Sequence, residues 1–165
     1  MQNEEKRLKA SQILDELGIK NYQYIEQGAE GVIFHDDNSV YKVHLRSVRN
    51  RNIQLRRLSF FLDIPICEHI YKLEEIIEYD GCIIEKYRFE ESVPCAIFSE
   101  CEAIEFLTEC WQLNLVVFDC KPKNFIRVNG VAKLVDLNAR EYSDNLFLNA
   151  CVRMYLYVHF YDKMD

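Results

Sequence analysis

Asn129-Gly130, flanked by the runs Asn124–Val128 and Val131–Val135, constrains this chain more than any other feature of its sequence. Asn-Gly suits a two-residue loop in which both residues take positive φ, so the pair predicts a type I′ hairpin. Counting outward from that loop, Val128 faces Val131 and Asn124 falls opposite Val135. Asn124 and Asp136 then share the open end of the hairpin, and Asp119 precedes that end by a short loop carrying Lys121. Two acids and an amide placed this way can hold a divalent cation through oxygens, while Asp119 orients a hydroxyl and Lys121 steadies a phosphate. The plainer alternative is a polar hairpin end with a solvated Asp-Lys pair.

A second group lies upstream. Gly28-Ala29-Glu30-Gly31 separates two β-like runs, and Lys42 lies in the next one. Glycines at such a turn let backbone N–H groups come close to a phosphate. Val40 and Lys42 share a strand face by the two-residue period, an apolar group beside an ammonium, which suits a purine next to a phosphate. A tight turn with a surface lysine is the competing reading.

Around these groups the pattern predicts a helix over 4–17 with Leu8, Ile13, Leu14 and Leu17 near one face and Gly18 as its cap. Strands are expected at 22–27, 32–35 and 40–44, and a helix at 47–61 with Ile53, Leu55, Leu58 and Phe61 among arginines. Two strands, 69–78 and 82–88, are joined by Asp80-Gly81, and Pro94 breaks the chain. A helix over about 99–114 places Ile104, Leu107, Cys110 and Trp111 at helical spacing, and the apolar tail 144–161 forms a last helix. The order is α+β, mostly sheet first and mostly helix afterwards. It predicts two lobes with a hinge within 85–94.

Composition agrees with one such domain. With 165 residues and 49% hydrophobic content the chain can bury a core without staples, and 28% charged residues give it a polar surface. Its 7 cysteines, at 67, 82, 95, 101, 110, 120 and 151, are odd in number and contain no Cys-x-x-Cys pair; the 4 histidines are scattered. Reduced thiols in the core, rather than disulfides or a zinc site, are expected. The charged N-terminal stretch has no apolar run of signal-peptide length and no segment has the length of a membrane span, so the expected location is cytoplasmic. Export by a route without a readable signal is compatible with this. Arg46, Arg49, Arg51, Arg56 and Arg57 form a basic run, but 20 Lys+Arg against 27 Asp+Glu and the lack of interleaved aromatics argue against nucleic-acid binding. A solvated helix face, or a dock for an acidic partner, is expected instead. Trp111 and the 10 tyrosines are read as packing residues, and Cys120 as a buried one.

In these segments the chain resembles the protein kinase superfamily over nearly its whole length. Gln27 to Ile33 is similar to a reduced nucleotide-binding glycine loop, and Lys42 to the strand lysine that pairs the α- and β-phosphates. Asp119-Cys-Lys121-Pro-Lys-Asn124 resembles a catalytic loop, and Asp136 stands where the aspartate of the Asp-Phe-Gly metal motif would be. The resemblance implies a bilobal kinase-like domain over 1–165. Its N-lobe, about 1–87, would be a five-stranded antiparallel sheet with a helix, followed by a hinge at about 85–94 and a small, mainly helical C-lobe at about 95–165. It further implies ATP and Mg2+ as cofactors. Asp119 would be the catalytic base, assisted by Lys121 and Lys42, with Asn124 and Asp136 as metal ligands. Gly28, Ala29, Glu30 and Gly31 would cradle phosphates, Ile33, Val40 and Ile126 would enclose the base, and the backbone of 83–87, Glu85 and Tyr87 included, would receive adenine.

The departures define the subtype. Val117-Phe118 replaces the His-Arg before the catalytic aspartate, Asn138 replaces the motif glycine, and the helix at 47–61 has no acid to pair with Lys42. No Ala-Pro-Glu segment follows Asp136. The pattern is similar to the minimal kinases that bacterial pathogens deliver into host cells, some acting on a host chaperone and others binding ubiquitin-loaded conjugating enzymes. The expectation is a monomeric, atypical Ser/Thr protein kinase, a virulence effector by that resemblance. Lysine two places after Asp119 favours Ser/Thr acceptors. Two alternatives stand beside it: a pseudokinase or adaptor that binds a partner protein, and a small-molecule phosphotransferase of the aminoglycoside kinase type.

Overall fold

The computed structural model describes residues 2–28, 31–45, 48–95, 98–117, 119–137, 139–141 and 143–160. The fold is α+β, with four helices and a five-stranded antiparallel sheet among the described residues. The chain divides into two compact units, Met1–Asp63 with Lys72–Glu90, and Ile64–Tyr71 with Glu91–Asp165. No helix among the described residues is long and apolar enough to cross a membrane.

The first unit begins with α1 (Gln2–Glu16). It ends where Gly18, at φ 76°, turns the chain back so that Ile19 N–H bonds the Leu14 carbonyl at 3.0 Å. That left-handed glycine is what the sequence predicts for a helix stop. The sheet follows, with β1 (Gln23–Gln27), β2 (Val32–His35), β3 (Ser39–His44), β4 (Leu73–Tyr79) and β5 (Cys82–Arg88) arranged in the order β1-β2-β3-β5-β4. Between β3 and β4 runs α2 (Val48–Asp63). Asp80 and Gly81 take φ 45° and 73°, the two positive values a tight hairpin between β4 and β5 requires. Strand alternation splits the sheet cleanly. Val32, Phe34, Tyr41, Val43, Cys82 and Ile84 pack against Ala10, Ile13 and Leu14 of α1. Leu8, expected on that face, is 55% exposed and lies outside the core. Along α2, Leu58 and Phe61 turn inward while Ile53 is exposed.

The second unit contains β6 (Val93–Pro94), α3 (Glu100–Gln112), β7 (Leu115–Val117), β8 (Phe125–Val128), β9 (Val131–Leu134), β10 (Ala139–Glu141) and α4 (Asp144–Phe160). Ser99 caps α3 in a reciprocal box with Glu102, and Asn114 at φ 56° ends the helix two residues before its expected stop. Leu115-Val116-Val117 then forms a short buried strand paired with β10. Both strands are absent from the sequence-based expectation. So is β6, because Pro94, expected only to break the chain, pairs at a sheet edge with Ile126. Residues 69–71, assigned to the strand 69–78, leave that strand altogether. Tyr71 N–H bonds the Leu134 carbonyl and Leu134 N–H bonds the His69 carbonyl, which ties this segment to β9. The core of the unit is aromatic. Phe125 meets Phe98 and Phe106 edge to face at 4.4 and 5.1 Å. Each such buried ring contributes about 1.5–3 kcal/mol over exposure.

All the cysteines are free thiols, and Cys67, Cys82, Cys95, Cys110 and Cys120 are buried, as expected of core residues. Trp111 departs from its expected packing role and is 57% exposed. On α3 the inward residues are Ala103, Phe106 and Cys110.

Candidate functional site

In the second unit the hairpin fixes the site residues. Asn129 and Gly130 take φ 51° and 87°, Val128 pairs with Val131, and Val135 N–H bonds the Asn124 carbonyl at 2.9 Å. Asn124 therefore stands opposite Val135, with Asp136 next along the chain, in the register the sequence predicts. The segment from β7 to β8 makes one 3-10 turn at Pro122–Asn124. Within it the Asn124 side chain, 8% exposed, donates from Nδ2 to the Asp119 backbone carbonyl at 2.8 Å. That bond locks the loop and leaves the Asp119 carboxylate to other partners. Lys121 Nζ lies 3.3 Å from Asp119 Oδ1, and both side chains keep substantial contact with solvent. Between them Cys120 is fully buried. Burial, reinforced by the Asp119 charge, pushes its thiol up to about 12, so it stays protonated near neutrality and serves packing.

Asp136 is half-buried at the end of β9. Among the described residues no three His, Cys, Asp or Glu side chains form a group able to hold a metal ion. Asn124 and Asp136 together offer only oxygen donors, a set that suits a hard cation completing its shell with water and phosphate oxygens. Ile126 lies half-buried on β8, opposite Lys133. Phe118 and Asn138, singled out as departures from the kinase pattern, lie outside the described residues.

The first unit carries the other group. Gly28 N–H bonds the Gly31 carbonyl at 2.9 Å, closing the turn; Ala29 and Glu30 lie outside the described residues. A Cβ on Gly31 would stand 2.7 Å from the Val43 carbonyl oxygen, so strand packing itself demands glycine there. This supplies a structural reason for Gly31 that the phosphate reading does not need. Ile33 pairs with Lys42 and Lys42 with Glu85, one row across three strands; Val40 and Tyr87 form the adjacent pair. Cross-strand partners share a face, so these side chains lie on the side away from α1.

Residues 83–87 lie inside β5, flanked by β3 on one side and β4 on the other. Their backbone is in the sheet ladder rather than in an open hinge. The side chains are the more informative part. Glu85 is 2% exposed and accepts hydrogen bonds from His44 Nε2 and the Tyr87 hydroxyl. Burial pushes its carboxyl up, but the Lys42 ammonium and the His44 and Tyr87 hydrogen bonds outweigh that and hold it below the ordinary carboxylate range. Sequence reasoning missed His44 entirely. Its one readable signal is position, two residues after Lys42 and therefore on the same strand face.

Of the basic run, Arg51 pairs with Glu78 of β4 and Arg56 is exposed, whereas Arg46 lies outside the described residues. No family model matches the chain, and no curated protein sequence matches it either.

Proposed function

We propose that the chain is a minimal protein kinase that transfers the γ-phosphate of ATP to a Ser or Thr hydroxyl of a protein. The observation that carries this reading is the loop from Asp119 to Asn124. The Asn124 amide closes the loop onto the Asp119 backbone carbonyl, the Lys121 ammonium lies beside the Asp119 carboxylate, and the hairpin brings Asp136 to the same end. The five-stranded sheet with its lysine-bearing third strand supports the reading from the other unit.

Phosphoryl transfer demands little covalent work from a protein and much positioning. Asp119 accepts the hydrogen bond of the incoming hydroxyl and aims its lone pair at phosphorus. Lys121, 3.3 Å from that carboxylate, offsets charge on the transferred group. Lys42 orients the α- and β-phosphates. Asn124 and Asp136 would hold Mg2+, which when bound neutralises charge on the phosphate oxygens.

The test is incubation of the chain with γ-labelled Mg·ATP and a cell lysate, with Asp119→Ala and Asp136→Ala alongside. Label should pass to protein with the native chain and fall by at least about 10²-fold in either variant. Full transfer by either variant sinks the assignment.

One observation favours a second reading, a binding module without catalysis. In the second unit α3 and α4 line a groove of about 310 Å3 with Ile104, Leu107, Met154, Tyr155 and Val158. Ile104, Leu148, Val152 and Tyr155 are more than half exposed. Mg·ATP binding without turnover, together with capture of a protein on this face, would establish it.

A further inference from the structure

Over residues 48–62 the helix α2 carries no Asp or Glu, and its one acid, Asp63, is exposed at its last position, so the helix offers no buried carboxylate partner to a lysine on β3. The sheet supplies one. Glu85 is the direct cross-strand partner of Lys42 and lies on the same face. A buried carboxylate is expensive unless paired and hydrogen-bonded. Here two neighbours meet that requirement: His44 through Nε2 and Tyr87 through its hydroxyl, on opposite carboxylate oxygens. The Lys42 ammonium is also close enough to act on the Glu85 carboxyl. The network also runs toward the glycine turn. His44 Nδ1 is buried and has no hydrogen-bond partner, and it lies 3.6 Å from the position a Cβ on Gly31 would take.

We propose that Glu85, clamped by His44 and Tyr87, is the residue that positions Lys42, a strand-borne carboxylate in the place of a helix-borne one. Lys42 is then oriented by the sheet that carries it, and its alignment does not depend on a movement of α2. Glu85 is a positioning residue, acting on substrate only through Lys42. Its part in turnover rests on the phosphotransfer reading; the pairing itself does not.

The experiment therefore has two arms. In the first, the Glu85 carboxyl is followed by 13C NMR through a pH titration of the full chain and of Lys42→Met. Lys42 is only partly buried and is not among the core residues packed against α1. Loss of the ammonium should move the Glu85 midpoint up by about 1–3 pH units. An unmoved midpoint in a folded variant overturns the proposal. In the second arm, Glu85→Gln should lower kcat by about 10²-fold with a smaller change in KM for ATP, and Glu85→Asp should recover part of the loss. Glu85→Gln that folds and turns over at the native rate overturns the positioning role. A shifted midpoint in a chain that transfers no phosphate supports the pair and removes the kinase reading instead.

Discussion

Gly31 shows how one residue can satisfy two explanations that the sequence cannot separate. A glycine beside a strand lysine suggests room for a phosphate, yet here the Val43 carbonyl already fills the space a side chain would need. Gly31→Ala would force β3 to shift by a few tenths of an ångström or more. It should cost about 1–3 kcal/mol, read as a lower urea midpoint with an unchanged slope. Native stability in that variant would refute the close approach. Glu85 teaches the complementary lesson. Within a run of apolar β5 residues, only its register against Lys42 reveals that an acid is buried there by design of the neighbours.

At the scale of elements, the second unit depends on how α3 begins. Glu102 closes the capping box with Ser99 and also meets the Arg127 guanidinium of β8. The Arg127 hydrogen bonds dominate, and against some opposition from burial they lower the Glu102 carboxyl to about 2. A carboxylate whose folded value lies below its unfolded value of 4.5 contributes stability that is complete above 4.5 and is lost as pH falls toward 2. Arg127→Met should cost about 2 kcal/mol at pH 7, and the difference from the native chain should vanish near pH 2. Urea unfolding at several pH values checks this; a cost independent of pH would assign the loss to packing instead. The short strands β6, β7 and β10 were not foreseen because two or three residues carry no measurable periodicity. Their pairing is set by partners distant in sequence.

For the whole molecule, the chain leaves the first unit after Asp63, returns at Lys72 and leaves again after Glu90. The excursion 64–71 is held in the second unit by Glu109 of α3, whose carboxylate accepts the backbone N–H groups of Glu68 and His69 at 2.7 and 2.8 Å. His69, 5% exposed, adds a contact to the Ala132 carbonyl. Glu109→Gln should speed hydrogen exchange at the Glu68 and His69 amides by about tenfold or more, leaving α1 amides unchanged. Unchanged exchange at 68 and 69 would show that the β9 contacts alone hold the segment.

Local signals determined a large part of this protein. Asn129-Gly130, Asp80-Gly81 and Gly18 adopt the positive φ their residue types permit. From those turns follow the hairpin register and with it the alignment of Asn124 near Asp136. Strand alternation likewise placed Val40 and Lys42 on one face of β3. Tertiary structure decided what depends on residues far apart in sequence. It set which face of α3 turns inward, the attachment of 64–71 to β9, and the burial of Glu85 against His44, Tyr87 and Lys42. The physical reason is the range of the forces. Turn and strand preferences act within a few residues, while burial and ion pairing depend on what the rest of the chain brings alongside.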